Sequence, residues 1–231
     1  MPVAVITRYC VIRNRQLIAD GKILFADKTN DLEDFLMQAY ASLQIAYPKF
    51  YKMDTLSKLG FLAAEVLLQN RELTKEYPSE NIALVLSNAH ASLDTDLRYA
   101  ESAKTQASPA LFVYTLSNIV AGEICIRHKI KGENAFFVSA EFDPQLLTDY
   151  VSIVLSPKLQ IPSSKSQAPI PIAIGTKSQA PSPNACISGW VDVLGEHHDV
   201  FLYLCEKNKH GSVPHTASQL KELYNTPLWN S

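Results

Sequence analysis

The spacing of apolar residues changes several times along the chain, and each change marks an element. Val3, Val5, Val11 and Ile12 make residues 3–12 a first strand, and Ile23, Leu24 and Phe25 a short second one. From Asp31 the spacing becomes helical. Asp31-Leu32-Glu33-Asp34 places acids in a first turn, where they suit the helix dipole, and Phe35, Leu36, Tyr40 and Leu43 continue the pattern toward Pro48. Asp54 or Thr55 caps the next helix, which carries Leu56, Leu59, Leu62, Ala63, Val66 and Leu67 on its inner side. Residues 81–86, Asn-Ile-Ala-Leu-Val-Leu, form a continuous apolar run after Pro78, the pattern of a strand buried on both faces. Helices between buried strands predict an α/β fold, a largely parallel or mixed sheet covered by helices.

The rest of the chain is organised around residues 108–143. Ser108 is a cap and Pro109 suits a first helical position, where its missing N–H costs nothing. Leu111, Val113, Leu116, Ile119, Val120, Ile124 and Ile126 follow at helical spacing, so one helix is expected here, stopping by Gly132. Gly costs a helix interior about 1 kcal/mol relative to Ala. The pair Ala121-Gly122 therefore points to close approach of another backbone. Residues 135–140 are short, apolar and aromatic, and read as a buried strand with a sharp exit at Glu141. A helix follows Pro144, with Leu146, Leu147, Tyr150, Val151 and Val154.

Residues 156–184 hold six of the thirteen prolines, and Lys-Ser-Gln-Ala-Pro at 165–169 recurs at 177–181. Such a segment is a flexible or polyproline-like loop, read as a tolerated insertion ahead of a partner-binding motif. Residues 186–194 and 200–205 predict a hairpin joined at 195–199, and residues 217–224 a last amphipathic helix.

Composition narrows the function. Hydrophobic residues make up 47% of the 231, enough for a real core, and a net charge of −2 gives no reason to expect nucleic acid or an anionic membrane surface. No apolar run reaches the roughly 18 residues a membrane helix needs, and the first residues lack the pattern of a signal peptide. Cys10, Cys125, Cys186 and Cys205 have no paired spacing, which suits buried, reduced thiols in a cytoplasmic protein.

Asn118, Ala121, Gly122, Ile124, Ile126 and Arg127, followed by Lys131, Gly132 and Asn134, make nine positions at fixed spacing. Together with the helix in residues 51–68, they resemble the ketosynthases of the thiolase-like superfamily. That family carries Asn-x-x-Ala-Gly-x-Ile-x-Ile-Arg, then Lys-Gly-x-Asn, a strand and a nucleophilic Cys. The resemblance implies a thiolase-like half, with residues 1–231 as a single ketosynthase N-terminal-like domain, because whole ketosynthases are close to twice this length. The C-terminal hairpin and helix would substitute for the missing half. Counting on from Asn134, the nucleophile falls at Glu141. A carboxylate is a poor substitute for a thiolate attacking a thioester. The family's catalytic histidines lie in the half this chain lacks.

Partner subunits of the chain-length-factor type also lack the Cys, usually with Gln in its place. The resemblance therefore implies a non-condensing subunit in fatty-acid, polyketide or aryl-polyene-type assembly. It implies a homodimer, or a heterodimer with a full-length ketosynthase, formed through residues 134–140 with Phe136 and Phe137 on opposite faces. An acyl carrier protein is a further partner. No cofactor and no metal are implied.

Three residues are candidates for chemistry or substrate contact. Residues 87–108 read as a polar loop at the carboxyl end of a buried strand, where His90 could act as acid or base with Asp94 or Asp96 to orient it. The plainer reading makes these loop and cap residues. Glu141 could be a base, against a structural or capping role. An acyl tunnel is expected beside Leu111, Phe112 and Ile119 if the chain binds acyl groups. Glu196, His197, His198 and Asp199 have metal-ligand chemistry but read as a turn, and the echo of the family's His motifs at His210 and His215 reads as coincidence. Three functions follow: a silent partner subunit, an acyl-ACP or acyl-CoA processing enzyme using Glu141 and His90, or an acyl-chain or carrier-protein binding module.

Overall fold

The computed structural model of the chain describes residues 4–27, 31–156, 183–207, 209 and 213–226. Most of the proline-rich segment expected at 156–184, from 157 to 182, lies outside the described residues, as does His210.

The chain opens with a meander, β1 (Ala4–Arg13), β2 (Gln16–Ala19) and β3 (Lys22–Ala26). Both turns have two residues in the left-handed region, Asn14 and Arg15 at φ 49° and 57°, and Asp20 and Gly21 at φ 48° and 79°. That geometry matches the twist of the flanking strands. The register of β2 against β3 shifts between Leu17 and Ile18. Two helices follow, α1 (Leu32–Ser42), capped by Asp31, and α2 (Thr55–Leu67). Of the two cap candidates for α2, Asp54 takes the role by accepting from the Ser57 N–H at 2.9 Å. After the short α3 (Leu73–Glu76) comes β4 (Ile82–Asn88), in which every residue is buried. Then come α4 (Leu93–Ala103), α5 (Pro109–Val113), α6 (Ile119–His128), β5 (Asn134–Val138) and α7 (Pro144–Leu155). The chain closes with β6 (Ala185–Leu194), β7 (His197–Lys207), β8 (Val213–Pro214) and α8 (Ala217–Asn225).

The strands form one mixed sheet in the order β3-β2-β1-β7-β6-β4-β5, with β8 beside β1. β4 pairs in parallel with both β5 and β6; every other pairing is antiparallel. Side chains alternate across a strand. Leu84 and Leu86 of β4 therefore enter the core shared with α1, α2 and α6, and Ala83 and Val85 the core shared with α7 and α8. This is the expected mixed sheet covered by helices.

Several local expectations are corrected. The single helix expected over residues 108–131 is two, because the chain between Val113 and Ile119 turns inward. There Tyr114 is buried with its hydroxyl 3.1 Å from Glu123, and the Thr115 carbonyl accepts from the Ser92 hydroxyl at 2.8 Å. Gly122 is not the point of close approach; among the described residues nothing lies within 4 Å of a Cβ built there. The close approach to α6 is made instead at Gly60 on α2, whose Cβ would meet Val120 Cγ2. Residues 87–108 are not a loop throughout, since α4 occupies 93–103, its acids Asp94 and Asp96 in the first turn. The hairpin turn shortens to Gly195 and Glu196, and His197, His198 and Asp199 belong to β7.

The expected buried strand at 135–140 is β5, and it lies at the edge of the sheet with Asn134 and Val138 exposed. Phe136 packs into the α2–α6 core and Phe137 into the α7–α8 core, so the two rings do face opposite ways. On the α7 side, α8 packs against the sheet: Tyr224 stacks on Phe142 at 4.1 Å, its hydroxyl reaches Asp199, and the Arg13 guanidinium lies over its ring.

Two buried polar groups are held in contrasting ways. The Glu206 carboxylate is fully buried and accepts bonds from Arg71, Thr7 and Tyr77; burial pushes its pKa up, but these donors outweigh it and hold the group below the usual range. His215 is buried against the Tyr203 hydroxyl at 3.2 Å, and burial pushes its pKa down to about 4.

Two outcomes are expected. At Gly189 (φ +150°) a Cβ would lie 2.0 Å from the Phe201 carbonyl oxygen, so Gly189→Ala should cost more than about 3 kcal/mol in urea unfolding. His215 binds its proton less readily folded than unfolded, so stability should fall as pH drops through the ordinary histidine range toward 4. The loss should be on the order of 3 kcal/mol, and thermal melts of His215→Gln should lose that part of the pH dependence.

Candidate functional site

The site is a consequence of how β4 and β5 are connected. The chain leaves β4 over the α2–α6 face and leaves β5 over the opposite face, through α7, before returning to β6. Two parallel neighbours whose connections part in this way leave a crevice outside their carboxyl ends, the usual ligand position in α/β sheets. The Ser139 N–H donates to the Asn88 carbonyl at 2.9 Å and ties the two rims together.

On the β4 rim, Asn88 closes a tight loop on itself. Its side chain accepts from the Ala91 N–H at 2.9 Å and donates to the Ala91 carbonyl at 2.8 Å, with Ala91 in the left-handed region at φ 49°. This loop presents His90. Ser87 pairs with Trp190 on β6, which brings Asp192 level with the loop. Asp192 is buried; one carboxylate oxygen accepts from the N–H groups of Ala89 and His90, both at 3.1 Å, and the other bonds His90 Nδ1 at 2.8 Å. The expected orienting acids serve elsewhere. Asp94 accepts from the Gly195 N–H and Asp96 from the Ser92 hydroxyl.

On the β5 rim, Glu141 is exposed in the bend before α7, and its carbonyl accepts from the Ser139 hydroxyl at 3.0 Å. Asp143 caps α7, accepting from the N–H groups of Gln145 and Leu146. Glu141 and Asp143 open onto a pocket of about 550 Å³ whose far wall is Lys221, Tyr224 and Asn225 of α8. Among the described residues no hydrogen bond joins Glu141 to His90. Phe112 stands on the outer surface of α5, its ring 5.5 Å from Tyr99, with Leu93, Leu97, Val113 and Leu116 also exposed. None of these residues lines either of the two pockets described, the one between α2 and α3 or the one before α7.

Asp192 is the site residue missed in the sequence. Its signal was a lone acid inside the apolar run Trp190-Val191-Asp192-Val193-Leu194, since a buried carboxylate must find donors. His198 is buried beside Arg15 at 2.8 Å, and no group of metal-ligating side chains occurs among the described residues. Arg127, one of the residues carrying the family resemblance, forks onto Glu65 at 2.6 and 3.0 Å and binds the end of α6 to α2.

No protein-family model matches the chain, and no curated protein matches it by sequence. Solved structures do. A ketosynthase (ApeO) in complex with its chain length factor (ApeC) from Xenorhabdus doucetiae contains a chain that matches with a TM-score of 0.52 at 13% identity, covering 97% of this chain and 91% of that one. The fold is that of a ketosynthase. A type II PKS acyl-carrier protein in complex with its ketosynthase (AntDE:AntF) matches at 0.51 and 12% identity, covering 91% and 65%. The ishigamide ketosynthase/chain length factor matches at 0.51 and 10%, covering 90% and 59%. This chain thus carries nearly the whole of one such ketosynthase-type chain and under two thirds of the other two. Within the ketosynthase fold the crevice, the edge strand β5 and the α7 N-terminus lie together, and Glu141 stands between the last two.

Removing the acceptor at 192 tests the rim. Asp192→Ala should leave the N–H groups of Ala89 and His90 unpaired and speed their hydrogen exchange by about tenfold or more, with exchange in β6 and β7 little changed.

Proposed function

We propose that this chain is a ketosynthase-like subunit, silent in condensation, that acts as the partner or scaffold of a full-length ketosynthase in fatty-acid, polyketide or aryl-polyene-type biosynthesis. The carrying observation is β5. Its sequence Asn-Ala-Phe-Phe-Val contains no charge and no proline, it lies at the sheet edge, and Val138 on it and Ile126 on the adjoining α6 are exposed. Proteins normally guard such an edge with charges, proline or a bulge, because a bare one recruits another strand. An antiparallel strand from a partner ketosynthase, or from a second copy, fits it. The similar structures support this reading, since two are described as a ketosynthase with a chain length factor and the third as a ketosynthase with its carrier protein. An acyl carrier protein is accordingly a further partner of the assembly.

The thiols support silence in condensation. Glu141 is a carboxylate at the counted nucleophile position, and no cysteine elsewhere takes over. Cys10, Cys186 and Cys205 are buried and pushed up by burial, and Cys125 is pushed up to about 11. None is a thiolate at neutral pH. Free thiols throughout also suit the cytoplasm. Among the described residues no helix is long and apolar enough to cross a membrane.

The test is solution mass, alone and mixed with a ketosynthase encoded beside it. Wild type should form a stable dimer of one kind or the other, and Val138→Lys should weaken it at least about a hundredfold, as expected for a charge buried unpaired. An unchanged assembly mass in the variant refutes the interface.

A further inference from the structure

Five of the six histidines lie among the described residues, and their settings differ. His128, His198 and His215 are sheltered, and burial lowers the pKa of each. His197 is exposed at the start of β7. His90 alone among the described histidines has a hydrogen-bonded buried carboxylate on one ring nitrogen and an unengaged second nitrogen, its side chain one-third exposed.

The carboxylate is fixed. Asp192 is 3% exposed, and its three donors, two backbone N–H groups and Nδ1–H, hold both oxygens. With an Nδ1–H donated to Asp192, the lone pair of an uncharged ring lies on Nε2. This is the orientation by which a carboxylate prepares a histidine as a general base. Among the described residues no Ser, Thr or Cys side chain is hydrogen-bonded to His90. The hydroxyl of Ser92, two residues on, is buried and is taken up by the Thr115 carbonyl and the Asp96 carboxylate. The apolar surface begins one turn away at Leu93, whose N–H donates to the His90 carbonyl, and extends through Leu97 to Phe112 and Leu116.

We propose that the Asp192–His90 pair makes this chain a hydrolase of activated esters or thioesters with an apolar acyl chain, with water as nucleophile. His90 Nε2 takes a proton from water as its oxygen attacks the acyl carbonyl carbon. The tetrahedral intermediate then collapses, the C–O or C–S bond breaks with its electron pair going to the leaving group, and the imidazolium returns the proton to that group. One water and one acyl ester give one carboxylic acid and one alcohol or thiol. His90 is the catalytic residue and Asp192 a positioning residue. The partner reading does not depend on this activity, nor the activity on it.

The experiment measures turnover of p-nitrophenyl octanoate and of the octanoyl thioester of N-acetylcysteamine by the full chain, by His90→Ala, by His90→Gln and by Asp192→Asn, each checked for folding by thermal melting. The wild type should exceed both His90 variants at least tenfold on one or both substrates; the two substrates separate an esterase from a thioesterase. Asp192→Asn should lower kcat with KM nearly unchanged and displace the pH–rate profile, which a purely structural acid would not do. A wild type no faster than free imidazole at equal concentration, or a folded His90→Gln at wild-type rate, overturns the proposal. If His90→Ala does not fold, His90→Gln decides alone.

Discussion

Every residue of β4 is buried, and much of the architecture follows from that. A strand with no exposed face needs cover on both sides and a neighbour at each edge. Its neighbours β5 and β6 are both parallel to it, so each must be reached by a crossover. One crossover passes over each face, which seals β4 and at the same time separates the chain at the carboxyl ends of β4 and β5. The crevice beside the His90 loop is therefore a by-product of burying one strand. Two glycines make the sealing close. Gly60 lets Val120 of α6 settle against α2, and Gly132 lets the chain entering β5 pass so near β4 that a Cβ there would meet the Ile82 carbonyl at 2.3 Å.

Polar groups buried around this core act as joints between elements rather than as isolated exceptions. Asp54 caps α2 and also accepts from the Thr95 hydroxyl of α4 at 2.7 Å. Glu206 draws Arg71 and Tyr77 onto the far end of β7, and Asp199 gathers Arg13 of β1 and Tyr224 of α8. Each carboxylate has several donors, the condition for a buried charge to be tolerated. Asp192 follows the same rule, except that one of its donors is a side chain with a free end.

What the sequence revealed depended on whether a signal was local. The caps Asp54 and Ser108 and the burial of β4 were legible, because a cap needs a few residues and a doubly covered strand needs an unbroken apolar run. β2 escaped notice, though Asp20-Gly21 is a hairpin signature, because four residues beginning with Gln16 show too little alternation. The break between α5 and α6 is invisible to periodicity, since Leu116 keeps the helical spacing while tertiary bonds at Tyr114 and Thr115 turn the chain. Asp192 and His90 are about a hundred residues apart and only sheet register brings them together. β5 read as buried because its apolar, aromatic composition does not by itself distinguish an edge strand from a covered one.

The two rims of the sheet are unlike. β3 carries Lys22 at its edge and pairs with β2 through an irregular register, both of which discourage a further strand. β5 is regular and uncharged. A sheet that accepts addition at one rim and discourages it at the other has a valence of one. On the partner reading proposed above, two such units would saturate each other and growth would stop, so the same exposed backbone that would seed a fibre in a symmetric sheet would here set a stoichiometry.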